Sequence, residues 1–149
     1  MTTELQPIID RLDALIANLN TTERRRLAVE IARSLRGSQA KRIRENKSPS
    51  GTNFEAKKPQ PQLRKRQGNL RMFSKLQRSS WLKSKGSPES ASLGFVGFAS
   101  TIARVHQYGL RDRVNKNGTQ YKYPERELLG FAASELETVE TIIIRHLAK

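Results

Sequence analysis

The middle of this 149-residue chain carries almost all of its excess positive charge. Residues 24 to 85 contain 19 Lys or Arg against three acidic residues, whereas residues 1 to 23 contain one against four and residues 86 to 149 contain eight against seven. Such a block repels itself. Folded or not, this part of the chain is predicted to need counter-charge from solution ions, from nucleic acid or from an acidic protein surface.

Composition excludes several classes of protein. The length and a hydrophobic content of 36% predict one domain, residues 1 to 149, with a modest core of two packed layers. No run of about 18 uncharged apolar residues is present, which excludes a transmembrane helix, and no signal peptide is recognisable, so we expect a soluble protein without membrane contact. With no Cys and two His, no metal site and no cofactor is predicted.

Residues 1 to 47 are predicted to form a helical pair. Apolar residues recur at spacings of three and four from Leu5 to Leu19, which is typical of one helix face. Thr3 with Gln6 predicts a capping box at its start, or Pro7 marks the first turn instead. The apolar stripe is wide enough to pack on a neighbouring helix or on another subunit.

The second helix of the pair begins with another cap-like pair, Asn20 with Glu23. Its apolar period continues to about Asn46, although Gly37 and Ser38 weaken its middle. The two helices form either an antiparallel hairpin or an angled pair.

Residues 48 to 68 are predicted to form a long basic loop. The segment contains three Pro, two Gly and only Phe54 and Leu63 as large apolar side chains. It is not expected to bury enough surface to order itself alone, and loops of about 20 residues inside compact domains are usually functional or disordered until bound. The residues predicted to contact DNA phosphates or an acidic partner are Lys57, Lys58, Arg64, Lys65, Arg66 and Arg71. The alternative is a solvated loop. With a single aromatic, base stacking is not supported.

Residues 69 to 149 are predicted to form the α+β core. Asn69 caps a short helix that reaches Leu76, and the segment from Trp81 to Phe98 favours a β-hairpin. A helix of one or two turns follows and ends at Gly109.

The end of the chain contains the strongest local signals. Asn117 and Gly118 predict a tight turn between two strands, the second of which ends at Pro124. Ser134 with Glu137 predicts the cap of a final amphipathic helix. The expected fold class is therefore α+β, with an N-terminal helical pair, a small antiparallel sheet and a C-terminal amphipathic helix.

No catalytic arrangement is present in the sequence. No Ser lies in a nucleophile elbow, neither His has a spaced partner, and no glycine-rich phosphate loop appears, so we do not expect an enzyme. His106 and Tyr108 are predicted to bond backbone groups at the end of a helix. Arg126 lies in an apolar stretch, where a guanidinium needs a carboxylate or several carbonyls as partners.

Three segments together resemble a known family. In order they are RIRENKSPSGTNFEAKK (Arg42–Lys58), ARVHQYGLRDR (Ala103–Arg113) and YPERELLGF (Tyr123–Phe131), followed by the final helix. They are similar to the tail completion proteins of contractile-tailed phages, the gpS type, which are related to the virion morphogenesis protein of phage Mu. The family's usual SPDG turn is SPSG here, and Phe54 stands where wider relatives commonly have Trp.

The resemblance implies a structural virion protein that completes the tail at its head-proximal end and helps join tail to head. It implies a homo-oligomer, expected as a hexameric ring around the DNA channel, with tail and neck proteins as partners, sequence-independent contact with packaged DNA, and assembly in the host cytoplasm. The motif residues assigned structural or interface roles are Pro49, Gly51, Arg104, His106, Tyr108, Gly109, Pro124, Arg126 and Gly130. The alternative function is a small basic nucleic-acid-binding protein that acts through phosphate contacts.

Overall fold

The computed structural model describes residues 2–56, 73, 75–113 and 117–148. Within them the chain forms four helices and four short strands, which confirms the α+β class. The helices are α1 (Thr2–Ile16), α2 (Thr21–Arg44), α3 (Phe98–Tyr108) and α4 (Ala133–Leu147). The strands are β1 (Leu82–Gly86), β2 (Ala91–Phe95), β3 (Arg111–Arg113) and β4 (Gln120–Lys122). In the described residues, no helix is long and apolar enough to cross a membrane.

The strands form two separate two-stranded antiparallel sheets, β1 with β2 and β3 with β4. In the second sheet Arg111 lies opposite Lys122, and Arg113 lies opposite Gln120. The turn predicted at Asn117–Gly118 lies between these strands, and Gly118 has a positive φ of 81°. Glycine adopts this backbone conformation without steric cost, which is why the dipeptide marks the turn.

The chain divides into two compact units. Unit 1 contains residues 1–36, 84–93 and 133–149, and unit 2 contains residues 37–83 and 94–132. The division follows spatial contacts, so each unit combines stretches that lie far apart in the sequence.

In unit 1, α1 and α4 pack together with the first part of α2. Leu27, Ile142 and Ile143 are buried at its centre. The apolar stripe of α1 packs against them through Leu12, Leu15, Ile16 and Leu19. The part of the stripe from Leu12 to Leu19 thus packs within this unit, whereas Ile9 is 44% exposed, and the final helix packs on the N-terminal pair.

Polar contacts at the ends of its helices complete unit 1. The predicted capping box is confirmed, because the Glu23 amide donates to Asn20 Oδ1 at 2.9 Å and the Asn20 amide donates to Glu23 Oε2 at 3.1 Å. Glu30 of α2 accepts hydrogen bonds from Arg145 and bonds His146 in the last turn of α4. Cations are favoured at a helix C-terminus, so the pairing also suits the helix dipole.

Unit 2 has its own apolar core. Ile43, Phe54, Leu76, Ala99, Ala103 and Leu128 are buried together, and Phe73, Trp81 and Phe95 pack against them. The two alanines come from one face of α3 and let the helix approach closely. Phe54, at the position where wider relatives of the resembled family commonly have Trp, is one of these core residues.

The end of α2 is fixed by a left-handed Asn46, with a φ of 57°. The Asn46 amide donates to the Ile43 carbonyl at 3.1 Å, and the Lys47 amide donates to the Arg42 carbonyl at 3.1 Å. This pair of bonds is the Schellman motif, with Asn in the place that Gly usually takes. It ends α2 at Arg44, close to the predicted end at Asn46.

Three local predictions are wrong in detail. Helix α1 begins at Thr2, so neither the predicted Thr3 cap nor a start at Pro7 holds; Pro7 lies inside the helix. Helix α3 has 11 residues rather than one or two turns. Strand β2 ends at Phe95, because Gly97 has a φ of 63° and begins α3 instead of continuing the strand.

Two further predicted helices concern residues 134 and 69. Helix α4 begins at Ala133, one residue before the predicted cap, so Ser134 lies in its first turn. Of the short helix predicted from Asn69, residues 69–72 lie outside the described residues, and Leu76 lies in a turn.

Replacement of Ile143 by Ala tests the core of unit 1. Ile143 is 1% exposed, so the substitution should lower the free energy of unfolding by about 3 kcal/mol through lost burial and a cavity. The matched control is Ile144→Ala in the same helix, at 49% exposure, which should change it by less than about 1 kcal/mol. Urea denaturation of both variants measures the difference, and equal effects would contradict the packing.

Candidate functional site

The three segments that carry the family resemblance meet in unit 2. The SPSG turn is closed by a hydrogen bond from the Gly51 amide to the Ser48 carbonyl at 2.9 Å. Next to this turn, Pro49 contacts Gly130 so closely that a Cβ on Gly130 would lie 2.6 Å from Pro49 Cγ. A larger residue at 130 would therefore push the two segments apart.

A second close approach joins the end of α3 to the connection that follows β4. Gly109 caps α3 with a φ of 62°, and a Cβ there would lie 3.0 Å from the Glu125 nitrogen. The Tyr123 amide donates to the Leu110 carbonyl at 3.1 Å, and the Arg126 amide donates to the His106 carbonyl at 2.7 Å. Glycine at 109 meets both requirements, a left-handed backbone and no side chain.

Arg126 is the centre of the site, with 4% of its surface exposed. Its Nε donates to the Glu55 carbonyl at 2.8 Å, and its Nη2 donates to the Ala56 carbonyl at 3.3 Å. Its Nη1 lies 3.1 Å from His106 Nδ1. The guanidinium therefore holds two carbonyls of an irregular segment and one imidazole, and the rigid fork of donors suits this set of acceptors.

His106 has its tautomer set by this contact. A guanidinium can only donate, so Nδ1 must accept and the ring proton lies on Nε2. The imidazole also packs edge-on against Phe73 and Tyr123, with ring centroids 4.7 Å and 4.8 Å apart. His106 thus bridges Arg126 to Phe73.

Burial lowers the pKa of Arg126 from its usual value, and the negative charge of Glu55 opposes this shift. An arginine titrates so far above neutral pH that the side chain stays charged. A buried cation of this kind is tolerated when its donors are used, and each of the three guanidinium nitrogens reaches an acceptor here.

Three amide and guanidinium side chains hold the backbone just after Arg126. Gln107 Oε1 accepts from the amides of Leu128 and Leu129 at 2.9 Å each. Gln39 Nε2 donates to the Gly130 carbonyl at 2.5 Å, and Arg42 Nη1 donates to the Leu128 carbonyl at 3.0 Å. These side chains supply the bonds that a helix or a strand would otherwise supply.

The remaining predicted motif residues lie elsewhere on unit 2. Arg104 and Tyr108 are exposed on α3, Tyr108 to 65%. Gly51 is exposed with a φ of 88°, and Pro124 is half-buried. The predicted charge contacts lie outside the described residues: Lys57, Lys58, Arg64, Lys65, Arg66 and Arg71.

Sequence reasoning missed Gln39, Arg42, Gln107 and Phe73 as parts of this site. Arg42 and Gln39 are buried although they lie on a helix otherwise rich in exposed charge. One signal was present: both lie beside the buried Ala40 and Ile43, on the apolar side of α2. A polar residue on an apolar helix face is a candidate for an internal hydrogen bond.

The arrangement around Arg126 binds backbone. The three guanidinium nitrogens are engaged with the carbonyls of Glu55 and Ala56 and with the His106 imidazole. In the part of the chain that the structure describes, no group of three or more His, Asp and Glu is placed to hold a metal ion.

Replacement of Arg126 by Lys tests the site. The ammonium keeps the charge but cannot reach the two carbonyls and His106 together, so the free energy of unfolding should fall by about 2 kcal/mol. Arg113→Lys, on the exposed strand β3, is the matched control and should change it by less than about 0.5 kcal/mol. Chemical denaturation followed by tryptophan fluorescence measures both, since Trp81 packs against the core of unit 2. A decrease in the free energy of unfolding no larger than that of the control would mean that the several donors of the Arg126 guanidinium are not needed.

Comparison with known proteins agrees with the resemblance. The model of the phage virion morphogenesis family matches residues 3–148. The chain is 42% identical to tail completion protein S of Escherichia phage P2 over 149 residues, covering 98% of this chain and 99% of that protein. No solved structure matches the chain significantly. Because both matches extend over nearly the whole length, the chain belongs to the phage virion morphogenesis family.

Proposed function

We propose that this protein completes the phage tail at its head-proximal end and helps join the tail to the head. The observation that carries the proposal is the end-to-end similarity to tail completion protein S, with no large insertion or missing part in either chain. A shared full length supports a shared role more strongly than a shared segment does, since almost no part of either chain is left unmatched.

The proposed role is structural rather than enzymatic. It requires surfaces that bind neighbouring proteins in a fixed geometry, and unit 2 supplies a rigid one. Its irregular connection is held by the buried side chain of Arg126 and by the half-buried side chain of Gln107. Pre-ordered backbone lowers the entropy lost when a partner binds.

In this proposal the chain acts as one domain within a homo-hexameric ring that follows the sixfold symmetry of a contractile tail. The ring contacts other tail and neck proteins and surrounds the DNA channel. Large exposed apolar side chains on unit 2 support a surface that becomes covered on assembly, since Phe98, Tyr108 and Phe131 are each more than half exposed. The protein is assembled in the host cytoplasm and ends in the virion, in the tail or neck.

The basic residues are proposed to face either the DNA passage or an acidic neighbour. The charge excess lies in one part of the sequence, and the described basic residues on the outer face of α2, such as Arg25, Arg33 and Lys41, are exposed. A ring concentrates these charges around one axis, so an anionic partner stabilises the assembly.

Removal of the gene from the phage that encodes this chain tests the role. We expect DNA-filled heads and separate tails in lysates, and plasmid-borne protein should restore joined particles. Electron microscopy of the lysate and labelling of a tagged copy measure both. Joined particles in the absence of the protein, or a label away from the upper end of the tail and the neck, would refute the proposal.

Neutralisation of the basic loop separates its two proposed partners. With Gln in place of Lys57, Lys58, Arg64, Lys65 and Arg66, loss of joining with normal DNA retention indicates an acidic protein partner, and loss of both indicates DNA. The control carries Gln at five exposed basic positions in the described residues: Lys83, Lys85, Arg111, Arg113 and Lys122.

Duplex binding by the purified protein tests the alternative, a nucleic-acid-binding protein that acts off the virion. That function predicts tight duplex binding by the purified protein, with affinity falling by about two to three orders of magnitude between 50 and 200 mM salt for about five phosphate contacts. Weak binding at about 150 mM salt together with ring formation would exclude it.

A further inference from the structure

We propose that Arg126 and His106 act together as a clamp that fixes both ends of the basic segment, defined here as residues 57–72, at one point of unit 2. The two described ends of this segment are Glu55–Ala56 on one side and Phe73 on the other. The clamp belongs to unit 2 and does not depend on what the basic segment binds; its consequence for assembly rests on the proposed function.

Arg126 holds the first end. Its Nε and Nη2 donate to the carbonyls of Glu55 and Ala56, the last two residues before the segment. Both acceptors are backbone atoms, so the guanidinium fixes the path of the main chain whatever side chains follow. The neighbouring Phe54 is buried in the core of unit 2, which anchors the same stretch from its apolar side.

His106 holds the second end. Its ring packs edge-on against Phe73, the first described residue after the segment, with centroids 4.7 Å apart. Phe73 has a φ of 60°, a conformation that bulky residues rarely adopt and that persists only where surrounding contacts hold it. Its contacts with His106 and Phe54 are therefore strong enough to keep an unfavourable backbone geometry.

The two ends are held by one connected set of contacts. Arg126 Nη1 lies 3.1 Å from His106 Nδ1, and the rings of Phe54 and Phe73 lie 5.8 Å apart. The 16 residues between the ends are long enough to span more than about 50 Å when extended. Chain length does not force the ends together, so contacts within unit 2 do, and we assign the largest share to Arg126 and His106.

The clamp contacts the chain on both sides of the residues proposed to bind DNA or an acidic partner. In the sequence, all six of these residues lie between the two clamped ends: Lys57, Lys58, Arg64, Lys65, Arg66 and Arg71. Arg126 and His106 thus position the described residues on either side of the proposed binding element and do not belong to that element.

Spin labels at the two ends test the clamp in the full chain. The protein contains no Cys, so Ala56→Cys with Lys75→Cys gives a doubly labelled chain, and both positions are exposed. Electron paramagnetic resonance should give one narrow distance distribution. Arg126→Ala and, separately, His106→Ala should each broaden it at least twofold, while Arg113→Ala should leave it unchanged.

A second labelled pair separates release of the clamp from loss of the fold. Labels at Glu45 and Lys83 lie in unit 2 at exposed positions away from Arg126. Their distribution should stay narrow in the Arg126→Ala variant. If both pairs broaden, Arg126 only maintains the fold of unit 2, and if neither pair broadens, the ends are held by other contacts. Either result overturns the clamp.

Tail joining then tests its consequence. Arg126→Lys should lower plating efficiency in the complementation assay at least tenfold, and it should cause no further loss in the chain whose basic loop is neutralised. Equal losses in both backgrounds would show that Arg126 acts independently of the segment. If neutralisation itself leaves plating unchanged, the proposed role of the basic loop fails while the spin-label result still decides the clamp.

Discussion

A buried peptide group needs a hydrogen-bond partner, and unit 2 depends on how that requirement is met. The stretches around Glu55 and from Arg126 to Gly130 belong to no helix and to no strand. Side chains take the place of a regular backbone ladder: Arg126 holds the first stretch, while Gln107 and Gln39 hold the second. A short apolar core can then form beside these hydrogen-bonded backbone groups.

The same requirement accounts for which basic side chains are buried. In the part of the chain that the structure describes, Arg42 and Arg126 are the basic side chains that become buried, and both donate to backbone carbonyls. The other described basic residues stay at the surface to different degrees. Two guanidinium groups thus bind backbone inside the fold, and the other described basic residues remain accessible to solvent.

Local elements were predictable where a short stretch of sequence contains the whole signal. The Asn20–Glu23 capping box depends on residues three positions apart and is confirmed, and Gly118 has the positive φ that the predicted Asn117–Gly118 turn requires. Helix α3 was predicted too short because Gly97 looked like a strand residue, and only its backbone conformation shows that it begins the helix. Arg126 was recognisable as an unusual cation in an apolar stretch, whereas its partners are carbonyls, which every residue has and which no sequence pattern distinguishes.

The sequence by itself determined the α+β class, the amphipathic helices, the concentration of charge between residues 24 and 85 and the family, because periodicity, composition and ordered motifs are properties of the chain. Tertiary structure decided which apolar faces meet, that α4 packs on α1 and α2, and that Gln39, Arg42 and Gln107 bind backbone 21 to 91 positions away. Such contacts depend on the spatial approach of distant segments. Pro49 against Gly130 shows the reason directly: the need for a small residue at 130 exists only once the two segments touch.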